Sequence, residues 1–339
     1  MRQPRLKAPP DLPVAYYHCV SRVVNREFVL GDAEREHFVK LLRLCEQFAG
    51  VRVVTFCVMS NHFHILVEVP KRPEILPGDE ELLARLKRTY SGLGFATIRQ
   101  HLTMLRGATS QAAAEEYRET FFARMWDVSA FMKALKQRFT QWYNRERGRK
   151  GTLWEERYRS VLVEGAGDAL AAMAAYIDLN PVRAGMVSDP EEYRWCGYGE
   201  AIAGKRRAVD GLKTVTDTYR GLPGPKGAVL SNYRELLYGR GEERGEDEQG
   251  RAMRKGFNRK QVDAVLAKKG KLTWNEMLRC RVRYFSDGAV LGSKGFVNTI
   301  FKAEQHRFGP KRVTGARPLR GVEAAKLCAL RDLRVQPIG

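Results

Sequence analysis

Hydrophobic and polar residues follow two different periods in the first seventy residues. Val14–Val23, Val51–Val58 and His62–Val69 are rich in β-branched and aromatic residues, which predicts three strands. Over Ala33–Phe48 the apolar residues recur at three- and four-residue spacing, which predicts a helix. The second and third strands are joined by a short turn, so we expect them to form an antiparallel hairpin. The predicted order is β-α-β-β.

The same two periods return after residue 126. Apolar residues at helical spacing predict a helix from about Ser129 to a basic loop, and Arg159–Glu164 predicts a fourth strand. The completed order β-α-β-β-α-β is the ferredoxin-like α+β plan, an antiparallel sheet with helices on one face and the other face free to carry a site. A further helix is predicted from Asp168 to Asn180, ended by Pro181.

Shifts in composition divide the chain. We predict a first domain over 1–204, with an insertion at about 71–126 where Pro, Gly and charged residues mix with two weak helical patterns. Residues 205–250 form a connector that ends in a Gly-rich, charged linker, and 251–339 form a basic module that we expect to be mainly helical. The helices predicted in that module are Asn258–Lys269, Thr273–Tyr284 and Gly295–Gln305.

The charge of the chain indicates a polyanionic partner. Lys and Arg total 59 against 39 Asp and Glu, a net charge of +20, which favours nucleic acid. Much of this charge lies in the basic module. No apolar run approaches the roughly 18 residues of a membrane-spanning helix. The first ten residues lack the apolar run of a secretory signal, so we expect a cytoplasmic protein without membrane contact.

The third predicted strand carries two histidines. Side chains alternate along a strand, so His62 and His64 share one face while Phe63 and Ile65 share the other. Two imidazoles at this spacing can bind one divalent metal ion. For an isolated H-x-H pattern, however, two structural histidines are the favoured interpretation by roughly three to one, because short motifs match by chance.

A tyrosine and an asparagine before Pro181 change that balance. Tyr176 and Asn180 lie four residues apart on the predicted helix and project from the same side. A tyrosine beside a metal held by two histidines can attack a phosphodiester, and the amide oxygen of Asn180 can complete the coordination. Because a free phenol has a pKa of about 10, attack at neutral pH needs a polarised and oriented phosphate. Without the histidines, Tyr176 would be interpreted as a packing residue.

Longer motifs in this chain resemble one family. The runs VMSNHFHILVEVP, GTLWEERYRSVLVE, YIDLNPVRAGMV and EEYRWCGYG occur in this order. Together they resemble the REP-associated tyrosine transposases, relatives of the HUH single-tyrosine transposases of insertion sequences. The likeness spans about Pro13–Gly199, and the insertion and the residues beyond about 205 lie outside it.

The resemblance implies a ferredoxin-like nuclease domain that nicks and rejoins single-stranded DNA at or near hairpins through a 5′-phosphotyrosine, using Mg²⁺ or Mn²⁺. Carried over by position, His62 and His64 are the metal ligands and Tyr176 is the nucleophile. Asn180 is the third ligand; insertion-sequence relatives usually have Gln there, and REP-associated members tend to have Asn. Insertion-sequence relatives are dimers and REP-associated ones can be monomers, so both states stay open.

Cations alternate with aromatic rings near the fourth strand, as single-strand or hairpin binding requires. The candidate DNA-binding residues are Arg145, Arg147, Arg149, Lys150, Trp154, Arg157 and Tyr158. The alternative is a solvated loop and an ordinary strand edge, about equally favoured. Rival nucleophiles are Tyr158, Tyr193 and Tyr198, none of which has an amide four residues later that also precedes Pro. His18 is the best candidate for a further histidine near the site, and we interpret it as structural.

Two other functions compete with a transposase. One is a non-catalytic regulator, derived from a transposase, that binds DNA or RNA hairpins; the residues His62, His64, Tyr176 and Asn180 speak against it. The other is a replication-initiator or relaxase nickase, which shares the chemistry but lacks the YIDLNPVRAG and EEYRW runs. Since the basic module holds most of the charge, we expect deletion of Arg251–Gly339 to weaken DNA binding more than nicking.

Overall fold

The computed structural model describes residues 5–107, 111–219, 228–238, 283–308, 310–319 and 327–331. Contacts between residues divide the chain into two units. The first unit comprises Met1–Gly31, Val53–Glu68 and Trp154–Gly339, and the second comprises Asp32–Arg52 and Val69–Leu153. Each unit is described by itself below. None of the helices in the described ranges is long and apolar enough to cross a membrane.

Strands and helices are mixed at both ends of the described chain, and a run of four helices separates β3 from β4. The strands are β1 Val14–Arg22, β2 Arg52–Val58, β3 His62–Pro70, β4 Arg159–Val163, β5 Gly288–Ser293, β6 Arg317–Pro318 and β7 Leu327–Arg331. The helices are α1 Asp32–Ala49, α2 Asp79–Thr89, α3 Gly92–Gly107, α4 Gln111–Phe122, α5 Val128–Glu146, α6 Gly167–Asp178, α7 Asn180–Arg183, α8 Gly197–Ile202, α9 Arg206–Thr218, α10 Val229–Tyr238, α11 Arg283–Asp287 and α12 Lys294–Ala303.

The sheet confirms the predicted α+β, ferredoxin-like plan. Its strand order is β2-β3-β1-β4-β5-β7-β6, of which the first four are the ferredoxin-like order. Strands β1 and β4 are antiparallel, with Tyr17 opposite Leu162 and His18 opposite Val161. The H-x-H strand β3 therefore lies beside β1, which places residues far apart in sequence next to each other at the centre of the sheet.

The C-terminal residues extend this sheet, which differs from the mainly helical module expected there. Strand β5 pairs in parallel with β4, and β7 pairs antiparallel with β5. The predicted helix Gly295–Gln305 is present as α12. The predicted linker at 239–250, the helix Asn258–Lys269 and nearly all of Thr273–Tyr284 lie outside the described residues. The strands escaped prediction because β5 is short and contains two glycines.

The sheet face that carries the histidines is covered, although we expected it to be free. Leu66, on the same face as His64, is fully buried, and it belongs to one apolar cluster with Leu170 and Met173 of α6. Helix α9 also approaches closely, because a Cβ at Gly211 would lie 2.4 Å from the Val54 carbonyl oxygen. A mixed helical layer built from residues after β4 therefore packs on this face and encloses the site.

Helix α6 ends earlier than predicted and is followed at once by another helix. Its last residue is Asp178, and α7 begins at Asn180 with Pro181 in its first turn. Proline is tolerated in a first turn because the N–H it lacks would have no partner within the helix. The helix therefore ends two residues before the predicted end at Asn180, and Pro181 does not end it but lies in the first turn of a second, short helix that carries Arg183.

The second unit is helical, apart from the strand ends assigned to it. The proposed insertion holds three helices, α2, α3 and α4, where two weak patterns were seen. They share an apolar cluster that includes Leu82, Leu86 and Phe122. Helix α5 begins as predicted, since the Asp127 side chain accepts a hydrogen bond from the Ala130 N–H at 2.7 Å.

Candidate functional site

The residues singled out for chemistry line one cavity of the first unit. The cavity has a volume of 420 Å³, and His62, His64, Tyr176, Asn180 and Arg157 are among the residues around it. The ring centroids of His62 and His64 lie 5.0 Å apart, and those of His64 and Tyr176 lie 6.1 Å apart. The strand β3 and the helices α6 and α7 thus bring together two imidazoles, a phenol and an amide, as expected.

His64 is connected through a second histidine to the C-terminal region. Its Nδ1 lies 2.9 Å from His18 Nε2, and His18 Nδ1 lies 2.7 Å from the Phe285 carbonyl oxygen. Burial lowers the pKa of His18 to about 4, against a smaller rise from the Phe285 hydrogen bond. Burial, followed by the neighbouring His62, also holds the pKa of His64 well below its usual value. Both rings are therefore neutral at pH 7.

His62 is held by a hydrogen bond at the end of the turn that precedes it. The Asn61 side-chain N–H donates to the Arg26 carbonyl at 2.9 Å, so the Asn61 amide oxygen faces His62 Nδ1 at 2.7 Å. That oxygen can only accept, which places the His62 proton on Nδ1 and the lone pair on Nε2. The Arg26 carbonyl is presented by a loop in which both Asn25 and Arg26 have positive φ, 55° and 59°.

The donor atoms around the cavity fit a divalent metal ion. The Asn180 side-chain N–H group donates to the carbonyls of Tyr176 and Ile177 at 3.3 and 3.1 Å, which leaves its amide oxygen for another role. Within the described ranges, no three His, Cys, Asp or Glu side chains come together as a metal site by themselves. A metal held here would therefore take the two histidines of β3 and an amide oxygen, with remaining positions for phosphate or water.

Arginines surround the cavity and make it suitable for an anion. Arg22, Arg157, Arg159 and Arg183 line it together with three acidic residues, Glu155, Glu156 and Asp287. Arg159 forms an ion pair with Asp287 at 3.5 Å. The Arg183 guanidinium lies 4.1 Å from the centre of the Tyr176 ring and donates to the Tyr176 carbonyl. Arg183 therefore contacts the candidate nucleophile directly.

A buried carboxylate anchors the helix that carries Tyr176. Asp178 is fully buried and accepts hydrogen bonds from the Thr55 hydroxyl at 2.8 Å, the Tyr233 hydroxyl at 2.5 Å and the Tyr198 N–H at 3.1 Å. Burial raises the pKa of Asp178 to about 6, and these hydrogen bonds oppose the rise. The network joins α6 to β2, α8 and α10, and it fixes the position of the tyrosine two residues earlier.

The predicted DNA-binding residues fall into different environments. Arg157 is exposed at the cavity, whereas Trp154 and Tyr158 are buried and cannot offer a ring face to a base. Trp154 packs on Phe63, and the Arg5 guanidinium covers the Tyr158 ring at 3.6 Å. Alternation of cations and rings here arises from core packing, since the two rings face inward.

The four basic residues at the end of α5 belong to the second unit. Arg145, Arg147 and Lys150 are exposed, and Arg149 is half-buried. Arg147 forms an ion pair with Glu34. Arg145 also forms an ion pair, with Glu146 at 3.3 Å. The exposed members can reach a phosphate backbone, but Arg145 and Arg147 would first have to leave their carboxylates.

The rival tyrosines are all buried. Tyr158 and Tyr198 are 4% and 0% exposed, and the Tyr193 hydroxyl donates to the Val58 carbonyl at 2.7 Å. Tyr176 is also buried, at 3% exposure, but its ring lines the cavity beside the histidines. It is the tyrosine best placed to meet a phosphate there.

Residues 12–117 match a family model described as "Transposase IS200 like". The amino-terminal third of the chain is IS200-transposase-like. This confirms the transposase resemblance for residues 12–117, which include His18, His62, His64 and one of the four runs, VMSNHFHILVEVP. The other three runs lie beyond the matched range. Tyr176 and Asn180 lie beyond it.

Two further comparisons complete this result. A solved structure titled "Structure of the REP associates tyrosine transposase bound to a REP hairpin" is similar at 11% identity, over 60% of this chain and 86% of that one, with a TM-score of 0.33. No curated protein shows significant similarity to the chain.

Sequence reasoning missed several residues of this site. His18 was interpreted as structural, although its position on the strand next to β3 was a usable signal once the ferredoxin-like order was predicted. Arg183 lies three residues after Asn180 in the same motif and was not singled out. Phe285 contributes a main-chain carbonyl and a ring 4.9 Å from the Tyr176 ring, and nothing in its sequence context indicates either contact.

Proposed function

We propose that this protein is a metal-dependent transposase that cleaves and rejoins single-stranded DNA at or near hairpins through a 5′-phosphotyrosine. The observation that carries the proposal is the cavity lined by His62, His64 and Tyr176, in which the Tyr176 ring lies 6.1 Å from the His64 ring between centroids. The IS200-like match of residues 12–117 supports the same class. The similar solved structure is bound to a REP hairpin, which makes hairpin DNA the first substrate to test.

Different residues of the cavity would bind the metal, bind the phosphate and orient the tyrosine. His62, His64 and Asn180 would hold Mg²⁺ or Mn²⁺, which supplies polarisation of the scissile phosphate when bound. Arg22 and Arg157 hold the phosphate and the adjoining strand through charge. Arg183, stacked on the Tyr176 ring, orients the phenol for attack.

The reaction exchanges one phosphodiester for another. The Tyr176 oxygen attacks phosphorus and loses its proton, and the 3′-oxygen of the preceding nucleotide leaves and takes up a proton. The protein is then joined to the 5′ end of the downstream strand, next to a free 3′-OH. Because the bond energy is kept, a 3′-OH can reverse the reaction without ATP. Cytoplasmic localisation and the choice between monomer and homodimer stay predictions.

A labelled hairpin oligonucleotide tests this proposal. With Mn²⁺, a strand labelled at its 3′ end should migrate with the denatured protein, and a strand labelled at its 5′ end should be released. Tyr176→Phe should abolish the adduct but not hairpin binding, because only the attacking oxygen is removed. Tyr193→Phe removes the hydroxyl of another candidate nucleophile and should still form the adduct.

Other outcomes would contradict the proposal. An adduct that persists in Tyr176→Phe would show that another residue is the nucleophile. Full adduct formation in excess EDTA would refute metal dependence. Hairpin binding without any adduct in the unmodified protein would favour the non-catalytic regulator.

A further inference from the structure

His18 is the residue in this site that neither the motifs nor the proposed reaction uses. It lies on β1 and is fully buried, and its ring is nearly parallel to that of His64, with 5.1 Å between the ring centroids, as an edge-to-edge hydrogen bond between the two rings requires. Both of its ring nitrogens are in hydrogen-bonding contact, one with His64 and one with the Phe285 carbonyl. The orientation of the buried His18 ring is therefore fixed at both nitrogens.

The direction of each hydrogen bond follows from the Phe285 carbonyl. A carbonyl oxygen can only accept, so His18 carries a proton on Nδ1. A doubly protonated His18 would be a charge buried without a carboxylate at either nitrogen, which is strongly unfavourable. His18 Nε2 is therefore a lone pair, and it accepts the proton that His64 carries on Nδ1.

We propose that His18 is a positioning residue that transmits the orientation of the Phe285 carbonyl to His64, so that His64 presents its Nε2 lone pair to the metal. The inference rests on the proposed function for the identity of the metal site. It matches the arrangement at His62, where Asn61 and the Arg26 carbonyl place the lone pair on the same type of nitrogen.

Phe285, in the C-terminal segment, contacts two groups of this site. Phe285 is fully buried in the short helix α11, directly before β5, and its ring packs on Tyr176 while its carbonyl accepts from His18. One residue outside the transposase-like range thus contacts both the candidate nucleophile and the hydrogen-bond chain of a candidate metal ligand. The segment 283–293 is part of the site.

The first test measures the His64 tautomer without metal. Long-range ¹H–¹⁵N spectra of the full chain labelled with ¹⁵N-histidine distinguish a proton on Nδ1 from one on Nε2, and His64→Asn assigns the signal. We expect the proton on Nδ1 for His64 in the unmodified protein. A His64 proton on Nε2 overturns the proposal. This measurement needs neither metal nor DNA. It therefore tests whether His18 sets the His64 tautomer even if the adduct assay fails.

The second test compares two substitutions of His18 by Mn²⁺ titration, followed by electron paramagnetic resonance. His18→Gln keeps an oxygen that can accept from His64 Nδ1 and should bind Mn²⁺ within about threefold of the unmodified protein. His18→Leu removes the acceptor and should weaken Mn²⁺ binding by about 10–100-fold. His101→Gln, at an exposed histidine of the second unit, is the matched control and should change nothing.

Two results of this comparison would overturn the proposal. One is Mn²⁺ affinity unchanged in His18→Leu. The other is equal loss in His18→Gln and His18→Leu with the His64 tautomer unchanged in both, which would mean that His18 merely fills space. If His18→Leu fails to fold, the tautomer in the unmodified protein and in His18→Gln still decides.

Discussion

Strand β3 and the segment 283–293 contribute to the same cavity in opposite ways. Strand β3 supplies side chains whose chemistry is visible in the sequence, His62 and His64. The segment 283–293 supplies a main-chain carbonyl, an aromatic packing surface and a strand that pairs with β4. Backbone groups are the same in every residue, so their role depends on where the fold puts them. An active site can therefore extend well beyond its recognisable motifs.

Removing the C-terminal segment should have the largest effect on this protein. A chain ending at Tyr238 lacks β5 and β7, and with them buried Phe285, Val290, Leu291 and Leu330. Burial of such side chains is worth about 1.5–3 kcal/mol each, so their loss rivals the whole stability of a domain. We expect the truncated chain to lose cooperative thermal unfolding and Mn²⁺ binding.

This outcome reverses the expectation that deleting the C-terminal region harms DNA binding more than nicking. That expectation treated the region as a separate module, whereas β5 is continuous with the sheet. Circular dichroism and the adduct assay at low salt decide between the two. A truncated chain that unfolds cooperatively and forms adduct at the full rate would show that the C-terminal region is a separate module.

Asp178 joins α6 to β2, α8 and α10, and its removal should have the next largest effect. Asp178→Ala leaves the Thr55 hydroxyl, the Tyr233 hydroxyl and the Tyr198 N–H without their acceptor in the core. We expect a loss of about 3–5 kcal/mol in the free energy of unfolding. Urea denaturation measures this loss. Asp168→Ala, at a half-buried aspartate of the same helix, is the control and should lower the free energy of unfolding by under about 1 kcal/mol. Equal losses would mean that the network contributes little.

The same carboxyl group predicts a pH dependence. Its folded pKa of about 6 lies above the unfolded value near 3.8, so the folded state holds its proton more tightly. Its contribution to stability is greatest below about pH 4 and is lost as the pH rises to about 6, by up to about 3 kcal/mol. Asp178→Asn should lack this component. Parallel stability–pH curves for the two proteins between pH 4 and 7 would contradict the assignment.

Substitution of Arg183 should affect the orientation of the Tyr176 phenol but not metal binding. Arg183→Ala removes the guanidinium that lies over the Tyr176 ring, and we expect adduct formation to slow by about 10–100-fold, because small misplacements of a nucleophile are costly. Mn²⁺ affinity should stay within about threefold. Arg194→Ala, which removes a similar contact over Trp195 at 5.6 Å, is the control. Unchanged adduct kinetics in Arg183→Ala would exclude the orienting role.

The smallest effect is expected in the basic loop of the second unit. Lys150→Ala removes one exposed charge, which should weaken binding of single-stranded DNA a few-fold and lower the slope of log affinity against log salt by about 0.7. Fluorescence anisotropy at several salt concentrations measures both. An unchanged slope would show that Lys150 contacts no phosphate and that the loop is simply solvated.

The sequence predicted the parts of this protein that depend on local order. Period-two and period-3.6 patterns located β1 to β4, α1 and α5, because alternation and helical spacing act within a few residues. The H-x-H pair and the Tyr176–Asn180 spacing identified the cavity residues for the same reason. Tertiary structure decided the rest. It buried Trp154 and Tyr158 and covered the face expected to be open.

The physical reason is the range over which each contact acts. His18 and His64 are 46 positions apart, and Phe285 is 267 positions from His18, so their hydrogen bonds exist only once the sheet has assembled. The pKa of Asp178 likewise depends on burial, which raises it, and on opposing hydrogen bonds from Thr55, Tyr198 and Tyr233, which lie on three separate elements. The order of residues alone specifies which side chains are available for the proposed chemistry, and the assembled sheet specifies which groups hold them in place.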